Sequence, residues 1–215
     1  MNRIFIFFCV FAVIPVSLSR ASHLSFTATL TVDNHYGLYF GDGENVTFVG
    51  GNEIGAGGNP GQYNWSCAET FTFDVDLCDY IYVAAWSDDY VAQGFLGQFV
   101  SDAGLLLTNT SAWEVYPSWK DLDDGDSVPS QFVMNQEIAV ASWSPVTYNK
   151  VHGSSPWGKI DGISDDASWI WGSKLAPGSN YGEFQIFRTQ VIPELSTFLL
   201  LFYGLIGLVI LKKSI

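Results

Sequence analysis

Leu24-Ser25-Phe26-Thr27-Ala28-Thr29-Leu30-Thr31-Val32 alternates apolar and hydroxyl side chains without a break. A period of two places Leu24, Phe26, Ala28, Leu30 and Val32 on one face and the hydroxyls on the other, the pattern of a half-buried strand. The same alternation returns at Phe71, Phe73 and Val75, with Thr72, Asp74 and Asp76 between them. Asp79 to Trp86 (DYIYVAAW) is apolar on both faces, which predicts a central strand covered on both sides. Phe184 to Val191 closes the series, and glycine-rich stretches such as Gly50 to Gly61 separate the strands. We find no helix-period stretch longer than two turns before residue 195. Short strands with Gly, Asn and Asp turns predict an all-β body over residues 22–190, a β-sandwich or jelly roll.

The two ends read differently. Met1 to Val16 carries one base, Arg3, and then an apolar run, followed by the small residues Ser17, Ser19 and Ala21. That order is a secretory signal peptide over 1–21; the alternative is a retained N-terminal anchor. Leu195 to Leu211 (LSTFLLLFYGLIGLVIL) is 17 residues without a charge. At about 1.5 Å per residue it just crosses a bilayer core, giving one C-terminal transmembrane helix. Lys212 and Lys213 follow at once, and bases beside a span stay on the cytoplasmic side, so the body lies outside the cytoplasm.

Just before the span stands Ile192-Pro193-Glu194-Leu195-Ser196-Thr197. A short Pro-Glu motif, an apolar helix and a basic tail, here spread over 191–215, resemble the PEP-CTERM sorting signal of Gram-negative bacteria. Pro193, Glu194, Ser196 and Thr197 match that signal. Leu195 stands where the family usually has its second Pro, and two Lys replace its Arg-rich tail. The resemblance implies a helix that anchors the chain in the inner membrane until an exosortase processes it. It also implies a place at the cell surface or in the extracellular matrix, beside exopolysaccharide and biofilm production. A permanent single-pass anchor is the alternative.

The whole chain has 22 acids and nine bases, a net charge of −13. Residues 22–190 hold 21 of those acids and five bases, a balance of −16. Such a surface repels phosphate backbones and excludes nucleic acid as a partner. Cys67 and Cys78 are the only cysteines of that body. An oxidising destination favours a disulfide between them; two free thiols are the alternative.

The body also resembles galactose-binding-like jelly-roll domains. In them a strand ending in Asp-Asn precedes a Tyr-bearing strand and a glycine turn, here Asp33, Asn34, Tyr39 and Gly41. Later come Val83 to Trp86, Gly94 to Leu96, Thr108 with Trp113, Ala167 to Trp171 and Phe184 to Arg188. Such domains often bind sugars, and many only support a neighbouring enzyme; the fold does not confer the activity.

No histidine among His23, His35 and His152 falls in a nucleophile-elbow, zincin or Cys/His pattern, so the expectation is a non-enzymatic protein. His35, beside Asp33, reads as a turn or core residue. A glycosidase-like carboxylate pair is the enzymatic alternative, since two acids at a set separation suffice for that chemistry. For a structural calcium ion, the oxygen-bearing candidates are Asp33, Asn34, Asp42 and Glu44, with Asp88 and Asp89 as a second cluster. Lys120 to Ser127 (KDLDDGDS) approaches an EF-hand loop, but Gly125 comes one place early. For a polysaccharide, an exposed Trp supplies a platform and nearby carboxylates take the hydroxyls. Trp65, Trp86, Trp119, Trp143 and Trp157 lie near predicted turns or strand ends, and Trp86 with Asp88 and Asp89 is the expected lectin-like site. Trp113, Trp169 and Trp171 are assigned to the core.

Overall fold

The computed structural model describes residues 23–52, 65–87, 92–122, 126–172 and 183–192. The signal peptide, the sorting motif at Pro193, Glu194, Ser196 and Thr197, the apolar span, Asp88 and Asp89 lie outside the described residues.

The alternating stretch that opened the reading is β1 (His23–Asp33), and β2 (His35–Gly41) and β3 (Val46–Gly51) follow. Next come β4 (Glu69–Asp76), β5 (Tyr80–Trp86), β6 (Gly94–Ser101), β7 (Gly104–Leu107) and β8 (Glu114–Asp121). Helix α1 (Gln131–Val140) precedes β9 (Ser144–Pro145), β10 (Thr147–Val151), β11 (Ser168–Trp171) and β12 (Glu183–Gln190). One sheet runs β10-β11-β6-β1-β4, with β7 beside β6, and the other β3-β2-β5-β12-β8-β9. The pairings are antiparallel. The body is a β-sandwich.

The inner faces meet in an aromatic core. Phe95 packs edge-on to Trp113 at 5.1 Å and tilts against Phe187 at 5.3 Å. Ala28, Leu30 and Val32 of β1 are buried there, while Ser25 and Thr27 are exposed, as a period of two requires. β5 also behaves as its composition dictates. Ile81, Val83 and Ala85 enter the inter-sheet core, whereas Tyr82, Ala84 and Trp86 join a second cluster on the opposite face with Met134 and Ile138. A third cluster, around Trp157 and Trp169 stacked at 4.2 Å, covers the outside of the other sheet.

The helix corrects the expectation of an unbroken all-β body. Ser130 caps it, accepting the Val133 N–H at 3.3 Å, and Met134, Glu137 and Ile138 face inward. Phe132 and Val140 are exposed on its other side, so apolar residues surround the cylinder and the helical period is blurred. Its polar residues do specific work. Asn135 and Gln131 accept the N–H groups of Val46 and Phe48 through their side-chain oxygens, at 2.9 and 3.3 Å. These donors lie on β3, an edge strand, so the helix covers an edge that would otherwise offer free N–H groups.

Candidate functional site

A cleft of about 580 Å³ opens at one end of the sandwich. The start of β1 (Leu24, Phe26) and the β6–β7 hairpin form one wall. The entry to β8 (Ser111 to Glu114), the first residue of β5 and the end of β12 (Arg188 to Ile192) form the other. Antiparallel strands that finish and begin at the same level leave the core uncovered there, and Phe26, Trp113 and Val191 are its buried lining.

Arg188 and Glu114 are the charged residues of this lining. Arg188 donates through Nε and Nη2 to Glu114 Oε2, at 2.8 and 2.7 Å. The register of β12 on β8 sets this contact, because Arg188 lies directly opposite Glu114. The guanidinium also lies over two rings, 3.9 Å from the centroid of Trp143 and 4.7 Å from that of Tyr80. Trp143 in turn contacts Tyr116 at 6.1 Å and Tyr82 at 6.2 Å. Burial pushes the Tyr82 phenol well above its ordinary value, while the Arg188 charge works in the opposite direction. The result is an ion pair seated on the aromatic rings of the second cluster, at the side of the cleft, on a body of strongly negative charge.

The chain leaves this cleft under firm control. Val191 donates its N–H to the Asp79 carbonyl at 2.8 Å and its carbonyl accepts the Cys78 N–H at 2.9 Å. Gln190 Nε2 donates to the Cys78 carbonyl at 3.1 Å. Asp79 itself is held above the usual carboxylate range, first by desolvation and then by repulsion from Asp76 and Asp42.

The residues expected to bind ligands are placed elsewhere, and several expectations change. Trp86 is fully buried and stacks on His35 at 5.2 Å, so it is core and not a platform for sugar. It falls on the side of β5 that helix α1 covers, the second covered face that the apolar run Asp79 to Trp86 predicts. His35 is buried, as expected of a core residue. Trp157 is also buried rather than exposed, and its indole N–H donates to Asp33 Oδ2 at 2.7 Å. Trp113, Trp169 and Trp171 are in the core as expected.

Asp33, Asn34, Asp42 and Glu44 do not form one calcium site. β2 runs between the two pairs, and its seven residues span about 20 Å. Asp33 and Asn34 fasten the far end of the sandwich, where Asn52 Nδ2 donates to the Asn34 carbonyl at 2.6 Å. Asp42 turns the chain, its Oδ1 accepting the N–H groups of Glu44 and Asn45 at 2.9 and 2.8 Å, and these bonds hold its carboxyl below the usual range. Among the described residues no three His, Cys, Asp or Glu side chains gather as metal ligands.

The expected disulfide is not formed: no bond joins Cys67 and Cys78, and both are exposed. They flank β4, whose eight extended residues span about 23 Å, far beyond the reach of an S–S bond.

Sequence reasoning missed the cluster of Arg188, Glu114, Trp143 and Tyr80. The available signal was a lone base in the last strand, between Phe187 and Thr189, which demands a partner. No family model, curated protein or solved structure matches this chain.

Proposed function

We propose that this chain is a non-enzymatic exported protein whose β-sandwich body is displayed at the cell surface. In this reading an exosortase processes it at the motif around Pro193, Glu194, Ser196 and Thr197 and delivers it to an exopolysaccharide matrix. The body is read as a jelly roll. Its chain supports that by crossing between the sheets repeatedly: β1, β4 and β6 lie in one, and β2, β5 and β8 in the other.

The observation that carries the proposal is how the last strand is held. β12 pairs with β5 on one side and β8 on the other, so it is central, and the sorting motif begins two residues after it ends. A pull on the C-terminal segment therefore loads two ladders and the Val191 clamp together. An edge strand would peel off one bond at a time. A domain tethered through this strand stays folded under load.

The test is mass spectrometry of the C-terminus in material released from cells. The expected end lies within or next to residues 192–197. An intact Ile215 in released protein would overturn the sorting claim.

A further inference from the structure

We propose that, while the chain is anchored, the mouth of the cleft seats on the lipid surface of the membrane that holds it. This rests on the reading of residues 195–211 as a span. Only Pro193 and Glu194 separate Ile192 from Leu195, so the wall of the cleft stands within about 10 Å of the bilayer, the reach of three extended residues. The end of the sandwich that faces the lipid is thereby fixed: it is the end that carries Ile192.

That end is built for such a contact. Leu24, Leu105, Leu106, Val191 and Ile192 line it. Leu105 is 56% exposed and Ile192 60%, unusual for large aliphatic residues, and Val100 pairs with Leu105 and is also exposed. Exposed apolar residues gathered at one place mark an interaction surface, whereas scattered ones need no explanation. The body as a whole is acidic and is repelled by anionic surfaces, and this end also carries Asp76 and Asp79 beside Val191. Its exposed aliphatic rim, not its charge, is what reaches the boundary between headgroups and acyl chains. Asp102, at the turn of the β6–β7 hairpin, makes zwitterionic lipid the better partner.

The chain supplies its own reporter. All eight tryptophans lie between Trp65 and Trp171, and the apolar segment 195–211 has none, so tryptophan emission reads the body and not the span. Trp113 lines the cleft. The full chain is reconstituted into phosphatidylcholine vesicles, with and without bromine on the acyl chains, and its emission is compared. Bromine is expected to quench part of the emission, and Trp113→Phe to remove most of that quenching. Leu105→Asp, at an exposed position that leaves the core intact, is expected to lower the docked population by about tenfold. Equal emission in both vesicle types, from protein that floats with the vesicles, overturns the docking. Protein that does not float with them overturns the anchored reading beneath it, so the two failures are distinguishable.

Discussion

Replacing Arg188 by Met is expected to cost the body about 2–3 kcal/mol, and the structure shows where that figure comes from. The Met side chain keeps much of the aliphatic stem and loses the guanidinium. The bond pair to Glu114 is half in water, since that carboxylate is 50% exposed, so it contributes about 0.5–1 kcal/mol. The Arg188 side chain itself is only 18% exposed. Its stacking over Trp143 and Tyr80 is thus largely shielded, and each ring contributes about 1 kcal/mol. For a body of this size the total lowers the melting temperature by about 5–10 °C. Urea unfolding followed by tryptophan fluorescence measures it directly. A double-mutant cycle with Trp143→Leu isolates the ring contact, with an expected coupling of about 1 kcal/mol. High salt is expected to weaken the Glu114 contribution and leave the ring contribution standing. Arg188→Lys is expected to recover less than half of the loss, because an ammonium has neither the fork nor the plane. If Arg188→Met changes stability by less than about 0.5 kcal/mol, the cluster is incidental and the reasoning fails.

Three further outcomes are expected. Gln185 is buried with neither amide atom bonded among the described residues, so Gln185→Met is expected to stabilise the body by about 1–3 kcal/mol in urea unfolding; a loss of stability would show that the amide is satisfied. Asp79 has a raised folded value, so its ionisation opposes folding; that cost is absent below the unfolded value of about pH 3.9 and sets in as pH rises through the folded value. Asp79→Asn is therefore expected to match the natural protein near pH 3 and exceed it at pH 7, and equal stability at both would contradict the assignment. Cys67 and Cys78 are expected to react as two thiols per folded body with an aromatic disulfide reagent, and no reaction before reduction would mean that they are bridged.

The strands and their faces were legible in the sequence because burial on a pleated strand repeats every two residues. β1 and β4 declared themselves by that pattern, and β5 declared itself central because both of its faces are apolar. The apolar ends of the chain and the acidity of its body likewise need no fold to be read.

Helix α1 escaped because exposed Phe132 and Val140 hide its inward face, and its purpose, covering the edge of β3, exists only once β3 is in place. What a residue meets across a long loop has no local trace. Trp86 is apolar at a strand end in either case, and only the layer containing Met134 and Ile138 makes it core instead of platform. Asp33 and Asp42 stand nine positions apart in sequence, yet a strand keeps them at opposite ends of the sandwich. The same rigidity keeps Cys67 from Cys78. Conversely, Leu24 and Ile192, nearly the whole body apart in sequence, line one cleft because β1 starts where β12 ends. The sequence by itself determined that this protein carries an acidic, tryptophan-rich β-domain between two apolar ends. Only the tertiary structure decided where its exposed aliphatic residues gather, because that depends on which strand ends the two sheets bring together.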